Sequence, residues 1–256
     1  MALNIWDAVK NVIFNRKLTC NICGRENFNG EYFCDDCKKS VIKNDGYICD
    51  HCGAPLNYPS AYCDVCRDRN LSFKFMRSAY IYTGGIKRVV KSLKYGGKRY
   101  LADILADEVY NLYLKTGYSA DIAVFVPMVK AREKKRGYNQ SRELARAFCS
   151  LSGVPLADNA IIKKEGVVSQ VGLTRNARLN NLRDSFKVVD KTIFKDKKVI
   201  IIDDVATTGS TAETLSAAIM RAGAEEAVVF TAAVTARSVG DATVNQGEFC
   251  ENHRKI

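Results

Sequence analysis

The chain has 256 residues, 47% of them hydrophobic, which suits one ordinary α/β domain with a smaller unit beside it and argues against disorder. Lysine and arginine outnumber the acids 39 to 28, a formal net charge of +11, so polyanions are the favoured partners: nucleic acid, phosphorylated metabolites or an acidic surface. No stretch approaches the ~20 apolar residues of a membrane-spanning helix. The N-terminus lacks a basic-then-apolar leader, and a cytoplasmic protein is expected.

Residues 1–17 read as an amphipathic helix, with Ile5, Val9, Val12 and Ile13 on one face and Trp6 beside it. That face suits packing on the protein's own domain, and also a membrane or a partner.

Residues 18–70 hold a repeat. Cys20, Cys23, Cys34 and Cys37 are spaced C-x2-C-x10-C-x2-C, and Cys49, Cys52, Cys63 and Cys66 repeat that spacing 29 residues later. Gly24 and Gly53 keep the register, and glycine suits the positive φ that a knuckle turn requires. Two such knuckles form a four-thiolate site, the preference of structural Zn²⁺, with no position left for a catalytic water. A double zinc ribbon follows. Pairing within each repeat is the simpler arrangement, and cross-bracing between repeats has the same spacing. His51, inside a knuckle, is expected to face solvent. Tyr32, Phe33, Tyr47, Tyr58 and Tyr62 serve either as the small unit's core or as a stacking platform for single strands. Loss of Cys49 is expected to disorder its ribbon and leave the rest folded. Cys149 and Cys250 lie outside the repeat.

Residues 76–235 alternate short apolar runs with helical ones. Strands are expected at 78–82, 122–126, 199–202 and 227–232, and helices at 86–94, 100–114, 141–151 and 210–221. This is the pattern of a parallel sheet flanked by helices, whose ligands bind where strands end and helices begin. Four apolar residues at 199–202 suit a strand buried on both faces. Asp203 and Asp204 follow and would repel each other, so something should compensate them. The turn of Thr207, Thr208, Gly209, Ser210 and Thr211 then feeds a helix N-terminus, a cradle for one phosphate. Carboxylates beside such a cradle suit a sugar phosphate. A capped helix behind a solvated acidic turn is the plainer alternative.

The run V-I-I-I-D-D-V-A-T-T-G-S-T resembles the phosphoribosyl pyrophosphate (PRPP) signature of type I phosphoribosyltransferases, although Ala206 stands where that family more often has a larger aliphatic residue. The stretches V-P-M-V-K-A-R-E-K-K-R-G-Y-N-Q-S-R-E-L-A-R (126–146), S-Q-V-G-L-T-R-N-A-R-L-N-N-L-R-D-S-F (169–186) and I-K-R-V-V-K-S-L-K-Y-G-G-K-R (86–99) resemble the ComF family. Members of that family act in DNA uptake by naturally transformable bacteria. The resemblance spans about residues 18–235.

The resemblance implies a type I phosphoribosyltransferase-like domain that binds PRPP with Mg²⁺. Asp203 and Asp204 would hold the ribose hydroxyls. The run of Val205, Ala206, Thr207, Thr208, Gly209, Ser210 and Thr211 would hold the 5′-phosphate. Lys130 and Arg132, in a run carrying four excess positive charges at 130–136, would neutralise departing pyrophosphate. Arg136 belongs to the same basic loop. Arg175, Arg178 and Arg183 fall where a mobile lid is expected, and these arginines serve equally as DNA phosphate contacts. Asn139 either reaches a ligand or caps the next helix. The expected function is that of a PRPP-binding protein with structural zinc in DNA uptake. Turnover on an unknown acceptor is one alternative. The other is a non-catalytic adaptor for single-stranded DNA and a ComFA-like DNA-translocating ATPase. The tail at 236–256 is polar and unpatterned.

Overall fold

The structure is a computed structural model that describes residues 17–164 and 185–236. The amphipathic N-terminal run, the expected lid with Arg175, Arg178 and Arg183, and the polar tail with Cys250 lie outside these residues.

Four parallel strands make the main sheet: β1 (Met76–Ile81), β2 (Ile122–Phe125), β5 (Lys198–Ala206) and β6 (Glu226–Val234), in the order β1-β6-β5-β2. Val199, Ile200, Ile201 and Ile202 are fully buried, as a strand covered on both faces requires. A single parallel bridge from Leu156 to Ala123 adds a short fifth edge beyond β2. A small antiparallel pair, β3 (Ile161–Lys163) with β4 (Phe186–Val188), stands apart. Three-residue strands are too short to announce themselves by alternation, and neither was expected.

The four expected helices are present as α3 (Gly84–Tyr95), α4 (Leu101–Thr116), α6 (Gln140–Ser152) and α7 (Ser210–Arg221). Two single-turn helices, α1 (Asp35–Lys38) and α2 (Asp64–Arg67), carry the last cysteine of each repeat. The basic run is a helix too, α5 (Lys130–Arg136), where a loop was expected. Its alanine, glutamate, lysines and arginines are strong helix formers, its last turn is basic, and Gly137 closes it at φ 85°.

Helices α4 and α6 cover one face of the sheet and α7 the other, giving two apolar cores. The first ribbon joins the α4/α6 core through Cys20, Phe33 and Cys37. The second joins the α7 core through Cys49, Cys52, Cys63 and Cys66. Between them the chain closes the outer edge of β1. Asn44 N–H donates to Ala79 O at 3.0 Å, Ile81 N–H to Ile42 O at 2.9 Å and Met76 N–H to His51 O at 2.7 Å. An exposed sheet edge is thereby paired off. Gly53 is forced by this contact: its φ is +63°, and a Cβ there would sit 2.4 Å from Met76 O.

Candidate functional site

Each cysteine repeat closes on itself. In both sets the four Sγ atoms lie within 4.8 Å of one another, with Cys23–Cys34 at 3.9 Å and Cys52–Cys63 at 3.7 Å. A Zn–S bond of about 2.3 Å implies a tetrahedral S–S edge of roughly 3.8 Å, so both sets fit the ion. The knuckles turn as expected: Gly24 N–H donates to Cys20 O and Gly53 N–H to Cys49 O, with both glycines at positive φ. Arg25 draws the Cys23 thiol down to about 6, while burial pushes Cys37 up to about 12. In the second set the Cys52 thiol lowers Cys49 to about 4 and is itself raised. Four crowded sulfurs cannot all ionise until a cation shares them. Zinc supplies that shared charge and a fixed cross-link.

His51 is not solvent-facing as expected. Its Nε2 lies 2.9 Å from Phe73 O and its ring packs edge-on against Phe73, tying the knuckle to the segment before β1. The aromatics divide. Phe33 is buried and Tyr32 donates to Asp107 at 2.8 Å, whereas Tyr47, Tyr58 and Tyr62 are exposed. Cys149 is half-buried on α6, and burial pushes its thiol up to about 11.

The second site lies at the carboxyl ends of β2 and β5. From β2 the chain steps outward to the 155–157 edge, then returns to β5 on the other side. The connections thus diverge between β2 and β5, and the crevice at such a point is where open α/β sheets take ligands. Strand β5 continues through Asp203 to Ala206, with Asp203, Val205 and Ala206 opposite Thr231, Ala233 and Val234 of β6. The turn is therefore shorter than expected: Val205 and Ala206 are strand residues, and only Thr207, Thr208 and Gly209 precede α7. Hydrogen bonding to β6 carries the strand past the acid pair, a tertiary effect no local pattern announces.

Gly209, at φ 77°, is the N-cap of α7 and has no side chain to cap it, while Thr208 Oγ1 accepts from Ser210 N–H at 3.3 Å. Thr208 Oγ1 and Ser210 Oγ lie 2.8 Å apart at the turn. Asp203 Oδ1 accepts from Ser141 Oγ at 2.7 Å and from Asp204 N–H at 2.9 Å. Burial, with Asp204 adding to it, nevertheless raises its carboxyl to about 7. Asp204 is compensated by Lys94, whose Nζ sits 2.5 Å from Oδ2, and Gln140 Nε2 approaches Oδ1 at 3.4 Å. Asn139 is a cap: its Oδ1 accepts from Ser141 N–H and Arg142 N–H, and its Nδ2 donates to Val126 O.

Three clefts are lined by residues from this region. One, of about 540 Å³, is walled by Lys94, Tyr95, Arg132, Lys135, Arg136 and Tyr138. A second, of about 430 Å³, lies between β2 and the hairpin and includes Lys130, Arg142, Asp158 and Lys163. Lys130 and Arg132 thus face neighbouring clefts rather than one. The third, of about 410 Å³, runs between α7 and the second ribbon, with Thr208, Gly209 and Ser210 on one wall and Cys66, Arg69 and Ser72 on the other.

Two family models match the chain: a double zinc ribbon domain over residues 9–67 and a phosphoribosyl transferase domain over residues 134–247. Competence protein F of Haemophilus influenzae is 28% identical over 203 residues, spanning 77% of this chain and 88% of that protein. The DNA utilization protein YhgH of Salmonella typhi is 28% identical over 210 residues, spanning 80% and 85%. Both ribbon and transferase are present in order in a chain that aligns with these relatives over most of its length. The chain is similar to these relatives across both its ribbon and its transferase domain. Competence protein ComFC of Bacillus subtilis is 27% identical over 165 residues, 58% of this chain and 60% of that one. Among solved structures, glutamine PRPP amidotransferase of B. subtilis aligns with a TM-score of 0.38 and 19% identity, over 52% of this chain and 26% of that chain. Among the described residues, no helix is long and apolar enough to cross a membrane.

The site contains residues that sequence reasoning passed over. Lys94, Tyr95, Ser141 and Tyr138 reach it from α3 and α6 and the turn before α6. The need for a counter-ion to the acid pair was visible, but its source, the last turn of a helix more than a hundred residues upstream, was not.

Proposed function

We propose that this protein binds PRPP with Mg²⁺ at the carboxyl ends of β5 and β2 and works in the uptake or use of DNA. The observation that carries the first part is the acid pair, set between the glycine-capped N-terminus of α7 and a cleft walled by four basic side chains. Thr207–Thr211 would take the 5′-phosphate through backbone N–H groups and hydroxyls. Asp203 and Asp204 would accept from the ribose hydroxyls. Arg132, Lys135 and Arg136 would hold pyrophosphate, where a guanidinium fork matches phosphate oxygens. Mg²⁺, a hard cation that prefers oxygen, fits the two carboxylates and would supply charge neutralisation at the sugar and pyrophosphate oxygens. The second part rests on the relatives named for competence and DNA utilization.

The test is a thermal shift. At a hundred times its Kd, a ligand adds about 2.7 kcal/mol. PRPP with Mg²⁺ should therefore raise Tm by roughly 5 °C, and Asp204→Asn should lose most of the gain while keeping the fold. No shift at millimolar PRPP would remove the site reading and leave an adaptor on a transferase fold.

A pH dependence follows from Asp203. Below about 7 the carboxyl holds a proton that must leave before the carboxylate can accept hydrogen bonds or face a cation. PRPP–Mg²⁺ affinity should rise with pH, by up to about tenfold per unit below that value, and level off above it. Titration calorimetry checks this, and Asp203→Asn should flatten the profile. A profile that falls with pH would contradict the reading.

Single-stranded DNA is a second reading, favoured by Tyr95. It is 77% exposed at the mouth of the basic cleft, with the Arg136 guanidinium 5.1 Å from its ring centroid. An exposed ring beside a phosphate track is the arrangement on which bases stack. A DNA-translocating ATPase is a further candidate partner.

A further inference from the structure

Lys94 occupies the carboxylate that the PRPP reading needs. Helix α3 begins just beyond the carboxyl end of β1 and its last turn brings Lys94 to the carboxyl end of β5, so it lies over the strand ends. Lys94 Nζ is 2.5 Å from Asp204 Oδ2, and the two side chains are 21% and 5% exposed. Gln140 Nε2 lies 3.4 Å from the other oxygen, Oδ1, and the same Gln140 accepts from Arg136. Both oxygens of Asp204 are therefore faced by protein groups, and a ribose hydroxyl must displace one.

Lys94 is the one suited to leave. Its ammonium is a point charge on a flexible four-carbon stem, free of the planar constraint that fixes an arginine or an amide. Its side chain already forms part of the wall of the basic cleft with Arg132, Lys135 and Arg136. Rotation about its own side-chain bonds carries the charge from Asp204 into that cleft. What forbids the move by itself is the acid pair: Asp203 adjoins Asp204, and one buried carboxylate beside another needs a cation. A ligand that arrives with a divalent cation supplies the replacement and also offers polyphosphate oxygens to the released ammonium.

We propose that Lys94 is an exchangeable counter-ion: it neutralises Asp204 in the arrangement seen here and passes to the pyrophosphate when the ribose hydroxyls and Mg²⁺ take the carboxylate. The proposal rests on the PRPP reading above and deepens it. It makes Lys94 a ligand-contacting residue of the same site, and makes sugar and pyrophosphate binding interdependent through one side chain.

The experiment is calorimetry of the full chain with three probes: ribose 5-phosphate, Mg²⁺-pyrophosphate and Mg²⁺-PRPP. Lys94→Met should weaken pyrophosphate by about tenfold, the loss of one charge-assisted contact. It should leave ribose 5-phosphate unchanged or tighter, because a competitor for Asp204 is gone. Asp204→Asn gives the mirror image and does not depend on the Lys94 variant folding. Lys94 is released into the cleft, so pyrophosphate should bind more tightly while ribose 5-phosphate weakens. A merely structural ion pair would move both probes in the same direction in both variants, and that result overturns the exchange while leaving the PRPP site standing. Failure of the wild type to bind any of the three probes overturns the site reading, and the exchange with it.

Discussion

Removing zinc from the second cluster should unfold the sheet as well as the ribbon. The sequence suggested a small unit whose collapse leaves its neighbour intact, and the packing argues otherwise. Cys49, Cys52 and Cys66 are buried in the same apolar core as Phe73, Met76, Ile201 and Val229. The knuckle holding two of these ligands gives His51 O to Met76 N–H, the first bond on the outer edge of β1. Ser72, just past the ribbon, donates both its N–H and its hydroxyl to Glu213 in the first turn of α7, at 2.7 and 2.8 Å. A structural four-thiolate zinc contributes on the order of 10–16 kcal/mol in isolated fingers, against a whole-domain margin of about 5–15 kcal/mol. Cys49→Ser should therefore lower the midpoint of a single unfolding transition by tens of degrees or leave the protein insoluble, rather than remove an early minor one. Hydrogen exchange after chelation should accelerate first along β1 and at the start of α7. If chelation leaves β1 and α7 as protected as before, the ribbon is an independent appendage. The first cluster, with Cys23 exposed and Cys34 half-buried, should release its metal at lower chelator concentration.

How much of this was legible in the sequence follows from how local each cause is. The cysteine spacing announced the four-thiolate knuckles because a knuckle is built from neighbouring residues, and the glycines stand at the positive φ that the turn demands, but which knuckles pair was left open and is decided by the fold, which closes each repeat on itself. The sheet was legible because strands buried on both faces read as unbroken apolar runs: 199–202 did so, and β5 extends from them. What was not legible depends on distant pairing. The strand passes through Asp203 and Asp204 because β6 continues to bond it. His51 turns inward because Phe73 O lies opposite. Lys94 meets Asp204 because α3 crosses the strand ends. The basic run was misread as a loop because its charges drew attention from its helix propensity. At Asn139, capping and ligand contact were both open, and the residue caps. Asp203, Asp204 and the Thr207–Thr211 turn were grouped from the sequence because they are close in it, and they run from the end of β5 into the first turn of α7. Lys130 and Arg132 were grouped by sequence but face different clefts, since helical positions two apart diverge by about 200°.

Single-stranded DNA should bind this protein with an affinity that falls steeply with salt, and the steepness should be traceable to α5. Arg132, Lys134, Lys135 and Arg136 lie on one two-turn helix; three of them line the cleft that Tyr95 borders. Each phosphate they neutralise releases counterions, giving a log–log slope of about −0.7 per contact on a single strand. Four contacts would make the slope about −2.8, a loss of roughly fifty-fold between 50 and 200 mM salt. Replacing the four together by glutamine should flatten the slope by that amount and weaken binding most at low salt. Tyr95→Ala tests the other half of the surface. Stacking contributes about 1–3 kcal/mol per base and involves no counterions, so this change should weaken binding by about five-fold or more at every salt concentration while leaving the slope alone. Fluorescence anisotropy of a labelled oligonucleotide reads both quantities. The two variants must therefore separate: one changes the slope, the other the intercept. Binding that is absent even at low salt would exclude DNA as a direct partner and leave a protein-mediated role. Binding whose slope survives the fourfold replacement would shift the contact to the ribbons, where Phe28, Tyr47, Tyr58 and Tyr62 are exposed. PRPP with Mg²⁺ adds a further discrimination, since it needs the same cleft: saturating ligand should displace DNA from α5 and leave DNA held on the ribbons in place.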